Sequence, residues 1–186
     1  MSFSSARHHR TLVLSGSLRT GSVTGRIAEA ALARSRSGYE VALAAGLARL
    51  PLFNEDLDTD PVPAAVAELR AQVASADSVL VLSPVNNASV SAALKNALDW
   101  LSRPRYASPL AGKPALGLVV GYHSHGAEDH LAAILRAVRA YPVPAPTPVL
   151  DPRVLQTPHA AHDPQLAAVV AHTLDALRAA ASVGMP

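Results

Sequence analysis

The sequence predicts a three-layer α/β sandwich around a parallel sheet. Strand and helix signals alternate from residue 11 to residue 180. The strand segments read as unbroken apolar runs, Val79-Leu80-Val81-Leu82 above all, as expected where both faces of a strand are buried. Five strands alternating with five helices imply right-handed crossovers that place helices on both faces of the sheet. With 186 residues and 49% apolar content, the chain can bury one sizeable core.

The elements follow in order. Residues 1–10 are polar and read as a flexible tail, and residues 11–183 as a single domain. Thr11–Leu14 is a short buried strand. Ser22–Arg36 has helical spacing through Val23, Ile27, Ala30, Ala31 and Arg34, with Gly38 as the stop. Tyr39–Leu43 is the second strand, and Gly46–Asp60 a long connection. Pro63 suits the first position of a helix over Val62–Ala76. Ser78–Ser83 is the third strand, and Ser91–Leu101 a helix ended by Pro104. Ala115–Val120 is the fourth strand, with Gly121–Gly126 as its exit loop. Ala127–Ala140 is a helix with Leu131, Ile134, Leu135 and Val138 on one face. Pro148–Leu150 reads as a short fifth strand near an edge, inside a Pro-rich stretch, and Gln165–Ala180 closes the chain as a helix.

Composition excludes several function classes. The formal net charge is only +2, and the basic residues, almost all Arg, form no stripe with interleaved aromatics, so nucleic-acid binding has no support. The chain has no cysteine, which removes disulfides, thiol catalysis and thiolate metal sites and fits a reducing, cytoplasmic setting. No apolar run approaches a membrane span, and no signal-peptide pattern opens the chain.

Two strand-to-loop-to-helix junctions carry the functional signal. In Ser15-Gly16-Ser17-Leu18-Arg19-Thr20-Gly21-Ser22-Val23-Thr24 the first strand empties into a loop of hydroxyls and one fixed cation. The loop lacks the lysine of a P-loop and the spacing of a dinucleotide fingerprint. Ser17, Ser22, Thr24 and Arg19 together could surround a terminal phosphate; the plainer alternative is a turn with Ser22 as an ordinary N-cap. In Pro84-Val85-Asn86-Asn87-Ala88-Ser89 the third strand empties into amides that could meet a flat heteroaromatic ring, or could serve only to tolerate positive φ. Ligands of open α/β sheets bind where two such loops meet at the strand carboxyl ends, which points to a small phosphorylated cofactor. His123-x-His125, with His130 further on, has no clearly placed third ligand and is not assigned a metal. Ser124 between Gly121 and Gly126 lacks the spacing of a nucleophile elbow. Leu94 and Trp100 read as core or subunit-interface residues.

Three stretches resemble the NADPH-dependent FMN reductase family of flavodoxin-like proteins, which includes flavin, quinone, chromate and azo-dye reductases. They are Gly16-Ser17-Leu18-Arg19-x-x-Ser22-x-Thr24, then Pro84-x-x-Asn87-x-Ser89 running on to Leu94-Lys95-Asn96-Ala97-Leu98-Asp99-Trp100, then Leu110-x-Gly112-Lys113-Pro114. The resemblance covers about residues 11–140 and implies a flavodoxin-like five-stranded parallel sheet of order 2-1-3-4-5 that binds FMN. It implies that Ser17, Arg19, Ser22 and Thr24, with the Val23 backbone, hold the phosphate. Pro84, Val85, Asn86, Asn87 and Ser89 would line the ribityl chain and ring edge, with Gly121, Tyr122 and His123 as a third loop. The flavin N5 would carry the chemistry, taking hydride from NADPH (or NADH) and passing electrons to a small-molecule acceptor. That acceptor would be free flavin for a partner flavin-dependent monooxygenase, or a quinone-like compound. No side chain is assigned a catalytic role, and no metal is expected. The resemblance further implies a homodimer or homotetramer, whose interface would include the helix carrying Leu94–Trp100.

One position departs from the family pattern: Asn86 stands where an aromatic residue, most often Tyr, is usual, and Tyr122 is a candidate to replace its surface. Two rival readings follow. One is a specialised flavoenzyme that reduces a pathway intermediate; the other is a binding or scaffold protein of this fold that has lost flavin.

Overall fold

The computed structural model describes residues 8–121, 126–144 and 163–183. The strands are β1 (His9–Ser15), β2 (Tyr39–Leu43), β3 (Ser78–Pro84), β4 (Pro114–Val120) and β5 (Tyr141–Pro142). They form one parallel sheet of order β2-β1-β3-β4-β5, with Leu12 beside Val79 and Val79 beside Ala115. The helices are α1 (Val23–Leu32), α2 (Ala64–Ala74), α3 (Ala92–Leu101), α4 (Ala127–Ala137) and α5 (Pro164–Ser182). The long connection after β2 holds two short 3₁₀ turns, Leu47–Arg49 and Glu55–Leu57.

The period-2 geometry of a strand divides the core in two. Leu12, Leu14, Val79 and Val81 point to one face, where Leu69, Leu94, Leu98, Leu131 and Leu135 from α2, α3 and α4 cover them. Val13, Leu80, Leu82, Leu116 and Leu118 point to the other, against Ile27 and Ala31 of α1 and Leu166, Val170, Leu174 and Leu177 of α5. These are the three predicted layers. Leu94 and Trp100, read as core or interface, are fully buried within the chain itself. Trp100 Nε1 donates to the Pro51 carbonyl at 2.8 Å, Asn96 Nδ2 donates to the same oxygen at 2.9 Å, and Phe53 stands edge-on to the indole at 5.0 Å. The connection is thereby clamped onto α3.

Several boundaries differ from expectation. β1 starts at His9, not Thr11, because His9 and Arg10, assigned to the tail, pair with Tyr39 and Glu40. α1 ends at Leu32 rather than Arg36 because Arg36 exchanges backbone hydrogen bonds with Tyr39, while the Ser35 hydroxyl serves both backbone groups of Val41. Pro63 is the N-cap of α2 rather than its first residue, with extended ψ of 136°. α4 stops at Ala137, since Arg139 takes a left-handed φ of 63°. The fifth strand is Tyr141–Pro142, earlier than expected; Pro148–Leu150 lies outside the described residues. Tyr141 and Val143 donate to Lys113, just before β4, and to Ala115 within it, so the residue between them needs no N–H on that side and proline fits. Among the described residues no helix is long and apolar enough to cross a membrane.

Candidate functional site

β1 and β3 lie side by side, yet α1 and α3 leave them for opposite faces of the sheet. Their exit loops diverge and leave a crevice at the topological switch point, the place where such sheets hold ligands. A cavity of about 530 Å³ opens there.

One wall is the β1 exit loop, Gly16–Arg19, continued by Ser22, Val23 and Thr24 at the start of α1. The other is Pro84 and Asn86 after β3, with Ser91, Ala92 and Ala93 at the start of α3. Val120 and Gly121 close it from β4. Ser22 and Ser91 are the N-caps of the two helices, accepting from Gly25 at 3.1 Å and Leu94 at 3.2 Å. Beyond each cap the next two amides, Val23 and Thr24 on α1 and Ala92 and Ala93 on α3, have no acceptor among the described residues. Two helix N-termini therefore aim unpaired N–H groups and the positive ends of their dipoles into one cavity.

Ser91 also fixes the two walls together. Its hydroxyl donates to the Gly16 carbonyl at 2.7 Å, its amide donates to Ser83 Oγ at 3.0 Å, and the Gly16 amide donates to Leu82 at 2.7 Å. The approach is so close that a Cβ on Gly16 would lie 2.6 Å from Ser91 Oγ and 2.8 Å from Leu94 Cβ. Only glycine fits there.

Of the predicted site residues, the fold brings Ser17, Arg19, Ser22, Val23, Thr24, Pro84, Asn86 and Gly121 to the cavity. Ser22 and Thr24 are buried, and their hydroxyls already interact with each other at 3.4 Å and, for Thr24, with Ser15 at 3.2 Å. Ser22 is the N-cap of α1, and it also lines the cavity, where a hydroxyl that accepts one bond keeps its own proton to donate. The Arg19 side chain is exposed and has no ion-pair partner among the described residues.

Val85, Asn87 and Ser89 do not line the cavity. Val85 packs behind Gly121, where a Cβ would lie 2.7 Å from Val85 Cγ2. Asn86 and Ser89 exchange backbone hydrogen bonds at 2.9 and 3.0 Å around Asn87 and Ala88, whose φ values are 50° and 59°. This is a tight turn with both central residues left-handed, so Asn87 serves the backbone rather than the cavity. Ser89 Oγ instead meets His130 Nδ1 of α4 at 2.9 Å. Tyr122, His123 and His125 lie outside the described residues. Among the described residues no three His, Cys, Asp or Glu side chains gather as a metal site.

Sequence reading missed Gly16, Leu18, Ser91, Ala92, Ala93 and Val120 as lining residues. The signal for three of them was present: a serine cap followed by two alanines admits a ligand against a helix N-terminus.

The family of NADPH-dependent FMN reductases matches residues 9–152. The NAD(P)H-dependent FMN reductase PA1204 of Pseudomonas aeruginosa is 36% identical over 140 residues, 74% of this chain and 75% of that protein. A quinone reductase of Escherichia coli is 40% identical over 108 residues, 58% of this chain and 57% of that protein. A 2-hydroxy-1,4-benzoquinone reductase of a Burkholderia species is 37% identical over 109 residues, 59% of this chain. The match therefore spans little more than half the length of the quinone reductases. In fold, the flavoenzyme NAD(P)H:(acceptor) oxidoreductase FerB of Paracoccus denitrificans superposes with a TM-score of 0.75 at 24% identity, covering 92% of this chain and 98% of that one. The extent of the family match, over a sheet whose switch point opens into a cavity with two capped helix N-termini, shows that this chain belongs to the NADPH-dependent FMN reductase family, oxidoreductases that pair FMN with NAD(P)H.

Proposed function

We propose that the cavity holds FMN and that the protein passes electrons from NAD(P)H to a quinone-class acceptor. The carrying observation is the convergence of four unpaired helix amides and the unpaired Arg19 guanidinium on one cavity. An anion there meets donors from two directions and an exposed cation, which suits a phosphate. The volume is in the range of about 300–1,000 Å³ typical of cofactor sites. The small Ala92 and Ala93 side chains leave room for a flat ring. The residues present thus fit the cofactor.

Ser17, Arg19, Ser22, Thr24 and the Val23 amide would hold the phosphate. Pro84 and Asn86 would border the ring, with Gly121 beside them. Val85 and Asn87 act behind this surface by fixing backbone. FMN, when bound, supplies two-electron hydride chemistry that no side chain of this chain offers. The protein contributes position and field: its dipole ends favour negative charge within the cavity. Support for a quinone-class acceptor comes from the relatives named as quinone reductases. Free FMN, for a partner monooxygenase, is the competing acceptor.

The test is an FMN titration of purified protein, then NADPH without oxygen, then a benzoquinone or a molar excess of free FMN. We expect binding, bleaching near 450 nm, and faster re-oxidation by the quinone. A protein that does not take up FMN contradicts the proposal; preferential reduction of free FMN moves the assignment to a flavin-supplying reductase. Asn86 supports a second reading, a flavoenzyme dedicated to one bulky intermediate, because no aromatic side chain is among the described residues at the mouth. Asn86→Tyr should then lower turnover of large quinones more than of small ones.

A further inference from the structure

We propose that His130 is a positioning residue for the cavity, acting through Ser89 on the turn that presents Asn86. This rests on the reading that FMN occupies the cavity. His130 lies on α4, does not line the cavity and belongs to no group assigned to the cofactor. Its Nδ1 lies 2.9 Å from Ser89 Oγ, a contact between residues 41 apart in sequence. Ser89 in turn exchanges both backbone hydrogen bonds with Asn86, which does line the cavity.

The turn between them needs such a support. Ala88 takes φ of 59° without the freedom of glycine, and Asn87 takes 50°, so the turn holds two consecutive left-handed residues. Asn86, Asn87 and Ala88 are all exposed, so no burial holds the turn in place. The Ser89–His130 hydrogen bond ties it to a helix that is itself anchored through the buried Leu131, Ile134 and Leu135. A neutral imidazole with its proton on Nε2 accepts the Ser89 hydroxyl proton at Nδ1. Without that tie, the competent turn is one of several conformers, and apparent affinity falls in proportion to its population.

The experiment has two arms. In the apoprotein, hydrogen exchange at the Asn86 and Ser89 amides is compared in wild type, His130→Ala and His130→Asn. In the second arm, FMN dissociation constants are measured for the same proteins, for Ser89→Ala and for the double variant Ser89→Ala/His130→Ala. We expect His130→Ala to speed exchange at those two amides and to raise the FMN dissociation constant about three- to ten-fold, the range of one net hydrogen bond. His130→Asn, whose amide oxygen can replace Nδ1, should restore much of both. The double variant should be no worse than either single variant, because both remove one contact. Unchanged exchange in His130→Ala overturns the proposal, as does an affinity loss that multiplies in the double variant. If wild-type protein binds no FMN, the cofactor reading fails, while the exchange arm still decides whether His130 holds the turn.

Discussion

Arg19 and Ala88 show two ways in which single residues set this site. Arg19 is exposed and unpaired among the described residues, so little in the apoprotein offsets its attraction for an anion. Arg19→Ala should weaken FMN binding by about 1.5–3 kcal/mol, the scale of a hydrogen bond to a charged group, with little effect on the melting temperature. Equal dissociation constants in an FMN titration would remove Arg19 from the phosphate site. Ala88 carries backbone strain in the exposed turn. Glycine adopts that φ freely, so Ala88→Gly should stabilise the fold by up to about 1 kcal/mol in urea denaturation. A loss of stability would show that the turn is not held left-handed at that residue.

At the scale of elements, the site depends on how two strand exits are latched to two helices. The Ser91 hydroxyl caps α3 and binds the β1 exit loop at Gly16, so one side chain sets the width of the cavity. Gly16→Ala would place a methyl group 2.6 Å from Ser91 Oγ and 2.8 Å from Leu94 Cβ, both buried. The loop must then move away from α3. We expect a destabilisation of about 1–3 kcal/mol, typical of overpacking, together with weaker FMN binding. Ser91→Ala should lower stability by about 1 kcal/mol through the lost cap, and should partly relieve the Gly16→Ala variant by removing the nearest atom. A thermal-melt cycle of the two singles and the double measures that coupling; strict additivity would contradict the latch.

For the molecule as a whole, a buried tyrosine and a half-buried lysine at the end of the sheet away from the site act oppositely on alkaline stability. Burial raises the Tyr39 phenol above its ordinary value of 10.0, only partly opposed by its hydrogen bond with Thr11. The folded protein thus keeps this proton where the unfolded chain has lost it. The stability involved is complete below pH 10 and falls as pH rises through the folded value. Burial lowers the Lys113 ammonium below 10.5, and its Nζ donates to the Ala76 carbonyl. That group works in reverse: stability rises with pH from the folded value toward 10.5. Tyr39→Phe isolates the first effect. Urea denaturation at pH 8 should show a loss of about 0.5–1.5 kcal/mol for the missing hydrogen bond, and the gap to wild type should narrow above pH 10. A gap that stays constant or widens above pH 10 would contradict the burial of the phenol.

The helices and strands were legible in the sequence because patterns of 3.6 and 2 follow from local geometry. Val79–Leu82 announced a strand covered on both faces, and Ser22 announced a helix start. Both strand-to-helix junctions could be read for the same reason, and seven of the residues predicted there line the cavity, joined by Gly121 after β4, which only the family resemblance pointed to. The errors arose where partners outside the element itself decide. α1 stops at Leu32 because Arg36 is drawn to Tyr39, and the fifth strand is Tyr141–Pro142 because Lys113, just before β4, and Ala115 within it offer acceptors. Asn87 and Ser89 were read as cavity residues on motif alone, yet the turn directs them elsewhere.

By itself, then, the sequence determined the alternation of elements, the two strand-exit loops that wall the cavity and the absence of cysteine chemistry, since each is a property of neighbours along the chain. Only the tertiary structure decided that Ser91 latches Gly16, that Trp100 belongs to the core, and that His130 reaches Ser89. Those contacts join residues tens of positions apart, and packing rather than local propensity selects them.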